Sequence, residues 1–188
     1  PEDPADPITN LQGLRNVHLV GDWLYVTETS LRNLAGIENL TINGTSHKGL
    51  SLVVSGNPLL ESLAGLKNQQ VFVGYVEIVN NASLATLRAL ENLRMVVGDM
   101  YIVGNPSLRT LEGLENFTWG GLYISGNASL ERITDLINFR GLMSRPDDGG
   151  RVRVEDNPKL DCSLEPQPNI LPVGRSSGNL VNCPVKSY

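Results

Sequence analysis

The chain has 188 residues, 40% of them hydrophobic but only 5% aromatic, with a net charge of −5 and two cysteines. That length suits one domain, and a core of many medium aliphatic side chains suits stacked layers better than one bulky centre. Singly scattered basic residues give no footprint for a phosphate backbone, so no nucleic-acid partner is expected, and no apolar run approaches the roughly 18 residues of a transmembrane segment.

The chain opens on PEDPADP, with neither a Met nor a signal peptide, and reads as a processed or excised soluble piece. Next, ITNLQGLRNV places Ile8, Leu11, Leu14 and Asn16 in columns that recur later, with no strand ahead of them. Residues 8–20 are therefore expected to form a half coil that caps the N-terminal end.

Residues 21–161 carry the repeat. VVSGNPLLESLAGLKN (53–68) and YIVGNPSLRTLEGLEN (101–116) share Gly, Asn, Pro, three Leu, Gly and Asn in one order. Aligning further copies puts Asn57, Asn81, Asn105, Asn127 and Asn157 in one column, with Glu28 in that place in the first copy, at spacings of 29, 24, 24, 22 and 30. A period in the low twenties means a solenoid with one coil per repeat.

Ahead of the Asn, two apolar columns alternate with period two: Trp23, Leu52, Val76, Met100, Leu122 and Val152, then Tyr25, Val54, Ile78, Ile102, Ile124 and Val154. They predict one short strand per coil with these side chains turned inward. Behind the Asn run Leu31, Leu60, Leu84, Leu108, Leu130 and Leu160, then Leu34, Leu63, Leu87, Leu111 and Ile133, then Ile37, Leu66, Leu90, Leu114 and Leu136. Gly36, Gly65 and Gly113 exclude a long helix there, so the segment is a bent arc. A second column, Asn16, Asn39, Asn68, Asn92, Asn116 and Asn138, closes each arc. Asn suits both columns because its amide bonds a donor and an acceptor of a bending backbone and tolerates the left-handed region.

The predicted fold is an all-β-dominated solenoid, a leucine-rich-repeat-like right-handed parallel β-helix of about six coils over a single domain, residues 1–188. Six strands at about 4.8 Å per coil give a body roughly 25 to 30 Å long. Two longer connections, 41–49 and 140–150, are candidate outward loops. Residues 162–188 break the register with several prolines and are expected to form a C-terminal cap, a lid pinned by a Cys162–Cys183 disulfide contributing on the order of 3 kcal/mol.

These columns, as in MYIVGNPSLRTLEGLENF, LRMVVGDMYI and the closing VRVEDNPKLDC, form a unit that resembles the receptor L domain. That family is the leucine-rich-repeat-like β-helix of insulin- and epidermal-growth-factor-type receptor ectodomains and of fungal and protist cell-surface proteins. The resemblance covers about residues 8 to 165. It implies this fold and an extracellular, secreted or cell-surface setting.

Sequons occur at Asn39, Asn43, Asn81, Asn116 and Asn127, and with a disulfide they favour a secreted glycoprotein. Four occupy ladder columns, where a buried amide would escape modification. Asn43 lies in an inserted loop and ranks first, followed by Asn116 and Asn39 at a corner.

Catalytic chemistry finds little support. Asp22 and Asp99 lie about 14 Å apart by coil spacing, beyond the roughly 5 to 9.5 Å a pair of glycosidase carboxylates needs. Asp147 and Asp148 read as a solvated turn between Arg145 and Arg151, and neither His18 nor His47 stands beside a Cys or Ser in a recognisable nucleophile setting. No phosphate cradle or calcium nonapeptide is present, so no enzyme, cofactor or metal is expected.

The predicted outward face carries Leu24, Val26, Val53, Val79, Tyr101, Val103 and Tyr123, with Tyr75 one column back and Glu77, Arg153 and Glu155 as a polar rim. A solvated face normally carries more charge. A patch of that kind marks an interaction site, with Tyr101 and Tyr123 as aromatic anchors, although β-propensity alone also favours Val and Tyr in strands. The expected function is a non-catalytic binding module for a protein or glycan partner. The alternative is a self-associating subunit of an extracellular coat or filament.

Overall fold

The computed structural model describes residues 8–42, 49–141, 152–163 and 174–179. Its strands, in chain order, are β1 (Leu19–Val20), β2 (Leu24–Thr27), β3 (Thr41–Ile42), β4 (Leu50–Ser55), β5 (Val71–Phe72), β6 (Tyr75–Val79), β7 (Met95–Val103), β8 (Trp119–Ser125), β9 (Val152–Glu155) and β10 (Gly174–Ser177). All pairings are parallel. The main sheet runs β10-β9-β8-β7-β6-β4-β2, with β5 beside β7, and β1 pairs β3 separately. Each strand therefore meets its equivalents in adjacent coils, and the chain is a parallel β-solenoid without an α-helix among the described residues.

The three arc columns are buried almost completely, from Leu31 to Leu160, Leu34 to Ile133 and Ile37 to Leu136. The inward strand columns from Leu52 and Val54 onward are buried as well. A further buried column, Leu40, Gln69, Leu93, Phe117 and Phe139, follows the arc-closing Asn, and Phe117 stacks on Phe139 with centroids 5.2 Å apart. Local sequence also selects the turn inside each arc. Gly36, Gly65 and Gly113 have φ of 114°, 114° and 109°. Coils with Ala89 or Asp135 in that place close instead as 3-10 turns, Arg88–Leu90 and Thr134–Leu136.

Two ladders bind the coils. In the inner one, Asn105 Oδ1 accepts from the backbone N (3.0 Å) and Nδ2 (3.2 Å) of Asn81, while Asn105 Nδ2 donates to Ile78 O at 2.9 Å. The same pattern links Asn57, Asn81, Asn127 and Asn157. In the outer ladder Nδ2 of Asn39, Asn68, Asn92, Asn116 and Asn138 donates to Arg15, Glu38, Lys67, Glu91 and Glu115 O. Each acceptor directly precedes the Asn of the previous coil. Among the described residues no buried side-chain N or O lacks a hydrogen-bond partner.

The first coil departs from expectation by one residue. β2 pairs with β4 as Leu24↔Leu52, Tyr25↔Val53, Val26↔Val54 and Thr27↔Ser55. Thr29, not Glu28, therefore fills the ladder position, its backbone N and Oγ1 both donating to Asn57 Oδ1 at 2.9 and 2.7 Å. Glu28 instead takes the left-handed place (φ 54°) that Gly56, Gly104 and Gly126 occupy elsewhere. Only one residue separates Thr29 from Leu31, whereas two separate Asn57 from Leu60. Counting back from the leucine column thus slipped the strand by one, and a one-residue slip exchanges the two faces. Leu24 and Val26 belong to the core side, while Trp23 and Tyr25 point outward, each 49% exposed.

At the N-terminal end the half coil contains a 3-10 turn, Gln12–Leu14, and β1. Leu11 packs on the core, but Ile8 and Leu14, expected inside, are exposed, for among the described residues the end coil has a neighbouring coil on one side only. Thr41–Ile42, expected as loop, is strand, and residues 43–48 and 142–151 lie outside the described residues. Within the expected cap, β10 adds a strand, and Asn179 Oδ1 accepts from Asn157 N at 3.0 Å. Cys162 is buried and disulfide-bonded, and Cys183 lies outside the described residues.

A Cβ on Gly113 would be driven into the carbonyl of Leu87, whereas one on Gly13 would meet open space. Gly113→Ala must hold a left-handed turn or rebuild it as a 3-10 turn, and is expected to lose about 1–3 kcal/mol in denaturant unfolding. Gly13→Ala is expected to stay within about 0.5 kcal/mol. Equal losses in the two variants would contradict the role assigned to the turn.

Candidate interaction face

The outward side of the sheet is set by register. One column reads Tyr25, Val53, Glu77, Tyr101, Tyr123 and Arg153, and the next reads Thr27, Ser55, Val79, Val103, Ser125 and Glu155. Of the residues expected here, Tyr75, Tyr101, Tyr123, Val79 and Val103 are present and half-buried. Leu24 and Val26 are not, for the register reason above. Val53 points outward but is only 5% exposed, so it offers little surface. Tyr25 and Trp23 were missed and meet edge-on, with centroids 6.2 Å apart.

Parallel pairing brings the tyrosines together. The Tyr101 and Tyr123 rings stack at 4.7 Å with planes 18° apart, and Tyr75 lies 6.4 Å from Tyr101 at 44°. Arg153 places its guanidinium carbon 5.4 Å from the Tyr123 centroid, a cation–π contact. A ring pair of this type is worth about 0.5–1.5 kcal/mol beyond its area, so the row holds itself rigid before any partner arrives. The Tyr123 ring thus lies between the Tyr101 ring and the Arg153 guanidinium.

Asp99 lies behind the row, 2% exposed. Its carboxylate fills the space beside Gly121, where a Cβ would collide with Oδ1. Tyr101 Oη donates to Asp99 Oδ2 at 3.4 Å. Burial first, then the negative charge of Asp99, push the Tyr101 phenol up to about 12. The hydroxyl is thus a fixed neutral donor rather than a proton-transfer group near neutrality.

The arc side is different in kind. Arg32–Glu61, Arg88–Glu112 and Arg109–Glu131 form exposed coil-to-coil ion pairs at 2.6, 2.6 and 2.7 Å. Such exposed pairs contribute little to stability, but they give the arc a solvated, charge-balanced surface. A shallow groove there is lined by Arg88 of one pair together with Glu38, Lys67 and Glu91. Among the described residues no cluster of His, Cys, Asp and Glu could hold a metal ion. No described helix is long and apolar enough to cross a membrane. Asp147, Asp148 and His47 lie outside the described residues.

The sequons divide by ladder. Asn81 and Asn127, both expected as glycan sites, are 0% exposed, and their Nδ2 groups are fully engaged within the inner ladder. Neither amide is accessible in the folded chain. Asn39 and Asn116 are exposed, and Asn43 lies outside the described residues.

Raising the phenol's folded pKa above its ordinary 10.0 favours the neutral form. The associated stabilisation is complete below pH 10 and is lost as pH rises through about 12. In an ultraviolet titration of the five tyrosines, Tyr101 should ionise late, and Tyr101→Phe should abolish that late step. Common ionisation of all tyrosines near pH 10 would contradict the buried Asp99–Tyr101 contact. Comparison of the chain with family models, with curated proteins and with solved structures gives no match.

Proposed function

We propose that this chain is a non-catalytic recognition module that works outside the cell and binds a protein partner through the outward face of its sheet. The observation that carries this reading is the preorganised row Tyr75–Tyr101–Tyr123–Arg153, its tyrosines half-buried and its arginine exposed, on a face that bears few charges. Tyr and Arg are the residue types that dominate interface energetics, and rigid aromatic anchors lose little entropy on binding. The charge-balanced arc offers no comparable surface. A sugar ring lying flat on Tyr101 or Tyr123 is disfavoured because those rings are already stacked on each other and flanked by Tyr75 and Arg153. This favours protein over glycan.

The likeness of the repeat to the receptor L domain supports an extracellular setting, as does disulfide-bonded Cys162. The sequons support it less than their number suggests, since Asn81 and Asn127 are buried.

One observation favours the self-association reading. Leu19, Trp23 and Tyr25 leave an apolar group at the N-terminal end, 59%, 49% and 49% exposed. Sedimentation velocity over a wide concentration range separates the readings. Under the recognition reading the parent stays monomeric. A cell-surface protein library then yields a binder that Tyr101→Ser/Tyr123→Ser loses at least about tenfold, read well below the variant's melting temperature, which the lost ring stack lowers. Assembly abolished by Leu19→Asp/Trp23→Asp would instead put the self-associating subunit first.

A further inference from the structure

The two asparagine ladders impose different chemistry on the same sequon. N-glycosylation replaces one of the two Nδ2 hydrogens with a sugar, leaving one N–H to donate. Asn81 Nδ2 donates both to Val54 O (2.9 Å) and to Asn105 Oδ1 (3.2 Å). Asn127 Nδ2 donates to Ile102 O (2.9 Å) and Asn157 Oδ1 (3.2 Å) and also approaches Ser125 O (3.2 Å). A sugar at either site would remove a buried hydrogen bond and occupy space that is already filled. The outer ladder needs less. Among the described residues Asn39 Nδ2 has one acceptor, Arg15 O at 3.2 Å, and Asn116 Nδ2 has one, Glu91 O at 2.8 Å. Both residues are exposed. A glycosylated amide keeps the one N–H that each of these bonds requires.

We infer that Asn39 and Asn116 are the described N-glycan attachment sites, because the outer ladder holds with a single amide hydrogen whereas Asn81 and Asn127 need both. Its biological setting rests on the extracellular reading proposed above, but site competence is a property of the fold. The two attachment points stand three coils apart on one column, about 14 Å by strand spacing. Both precede the strands in their coils, so the sugars sit at the arc-closing corner and not in the tyrosine row. Because attachment precedes folding, a nascent chain modified at Asn81 or Asn127 cannot close its inner ladder and should be retained by the cell.

The full chain, secreted from a eukaryotic host, tests this by site-resolved mass spectrometry of the protease-resistant, cooperatively melting fraction. Glycan is expected on Asn39 and Asn116 and on neither Asn81 nor Asn127. In Thr41→Ala/Thr118→Ala, which breaks both sequons but keeps both amides, these two glycans should vanish while secretion and melting temperature are nearly unchanged. Glycan on Asn81 or Asn127 in folded molecules would overturn the inference, as would absence of glycan from both Asn39 and Asn116. Neither outcome depends on the tyrosine face, so the recognition reading and this one can fail separately.

Discussion

The inner asparagine ladder is the constraint on which the rest of this structure depends. Each side chain must accept twice through Oδ1 and donate through Nδ2 toward the preceding coil, at a position 0% exposed. Only a primary amide of this length supplies both functions at once. Because the ladder repeats wherever the strand ends, it holds successive coils at strand spacing and in register. The leucine columns then meet their counterparts above and below, and burial follows. At the first coil the requirement changes, since among the described residues no strand of the main sheet lies beyond β2 to accept a donated hydrogen. Thr29 meets that altered requirement by donating its hydroxyl to Asn57 and having no amide hydrogens left over.

The same register builds the candidate site. Side chains in one outward column recur at the strand spacing of about 4.8 Å, which is why Tyr101 and Tyr123 stack at 4.7 Å. Asp99 beside Gly121, and the phenol held neutral in front of it, are consequences of that alignment. Solenoids commonly use a repeated face in this way, since each repeat adds one side chain to a continuous surface. Here the tyrosines concentrate on one side and the ion pairs on the other, which gives the body two chemically different surfaces.

Much of this was legible in the sequence. Columns spaced by two and by three residues gave the strands, the arc and both asparagine ladders, because a buried coil tolerates few residue types at each place. Tyr75, Tyr101 and Tyr123 could be placed outward by alternation alone. What failed was local. A single residue missing between Thr29 and Leu31 moved Leu24 and Val26 onto the wrong face and hid Trp23 and Tyr25. The signal was present: Glu28 fits the left-handed position better than the ladder, since a carboxylate has no hydrogen to donate. The last ladder residue, Asn179, was equally readable from Ser177-Gly178-Asn179, which repeats Ser55-Gly56-Asn57 and Ser125-Gly126-Asn127. Nearby prolines drew attention to a cap instead. The direction of the Tyr101 pKa shift was not legible, since it needs Asp99 and Gly121 to meet across coils.

The most direct measurement is native-state hydrogen exchange, with global unfolding, on Asn105→Asp beside the parent chain. The substitution keeps size and acceptors but removes the Nδ2 donor, and sets a carboxylate against Ile78 O and Asn127 Oδ1. If the ladder is the organising constraint, stability falls by about 3–5 kcal/mol, the usual cost of breaking a buried polar network. Protection should then collapse at the Asn81 and Asn105 amides and across the strands on both sides. Unchanged global stability, with exchange altered only at residue 105, would contradict the account and leave the leucine core as the sole organiser of the solenoid.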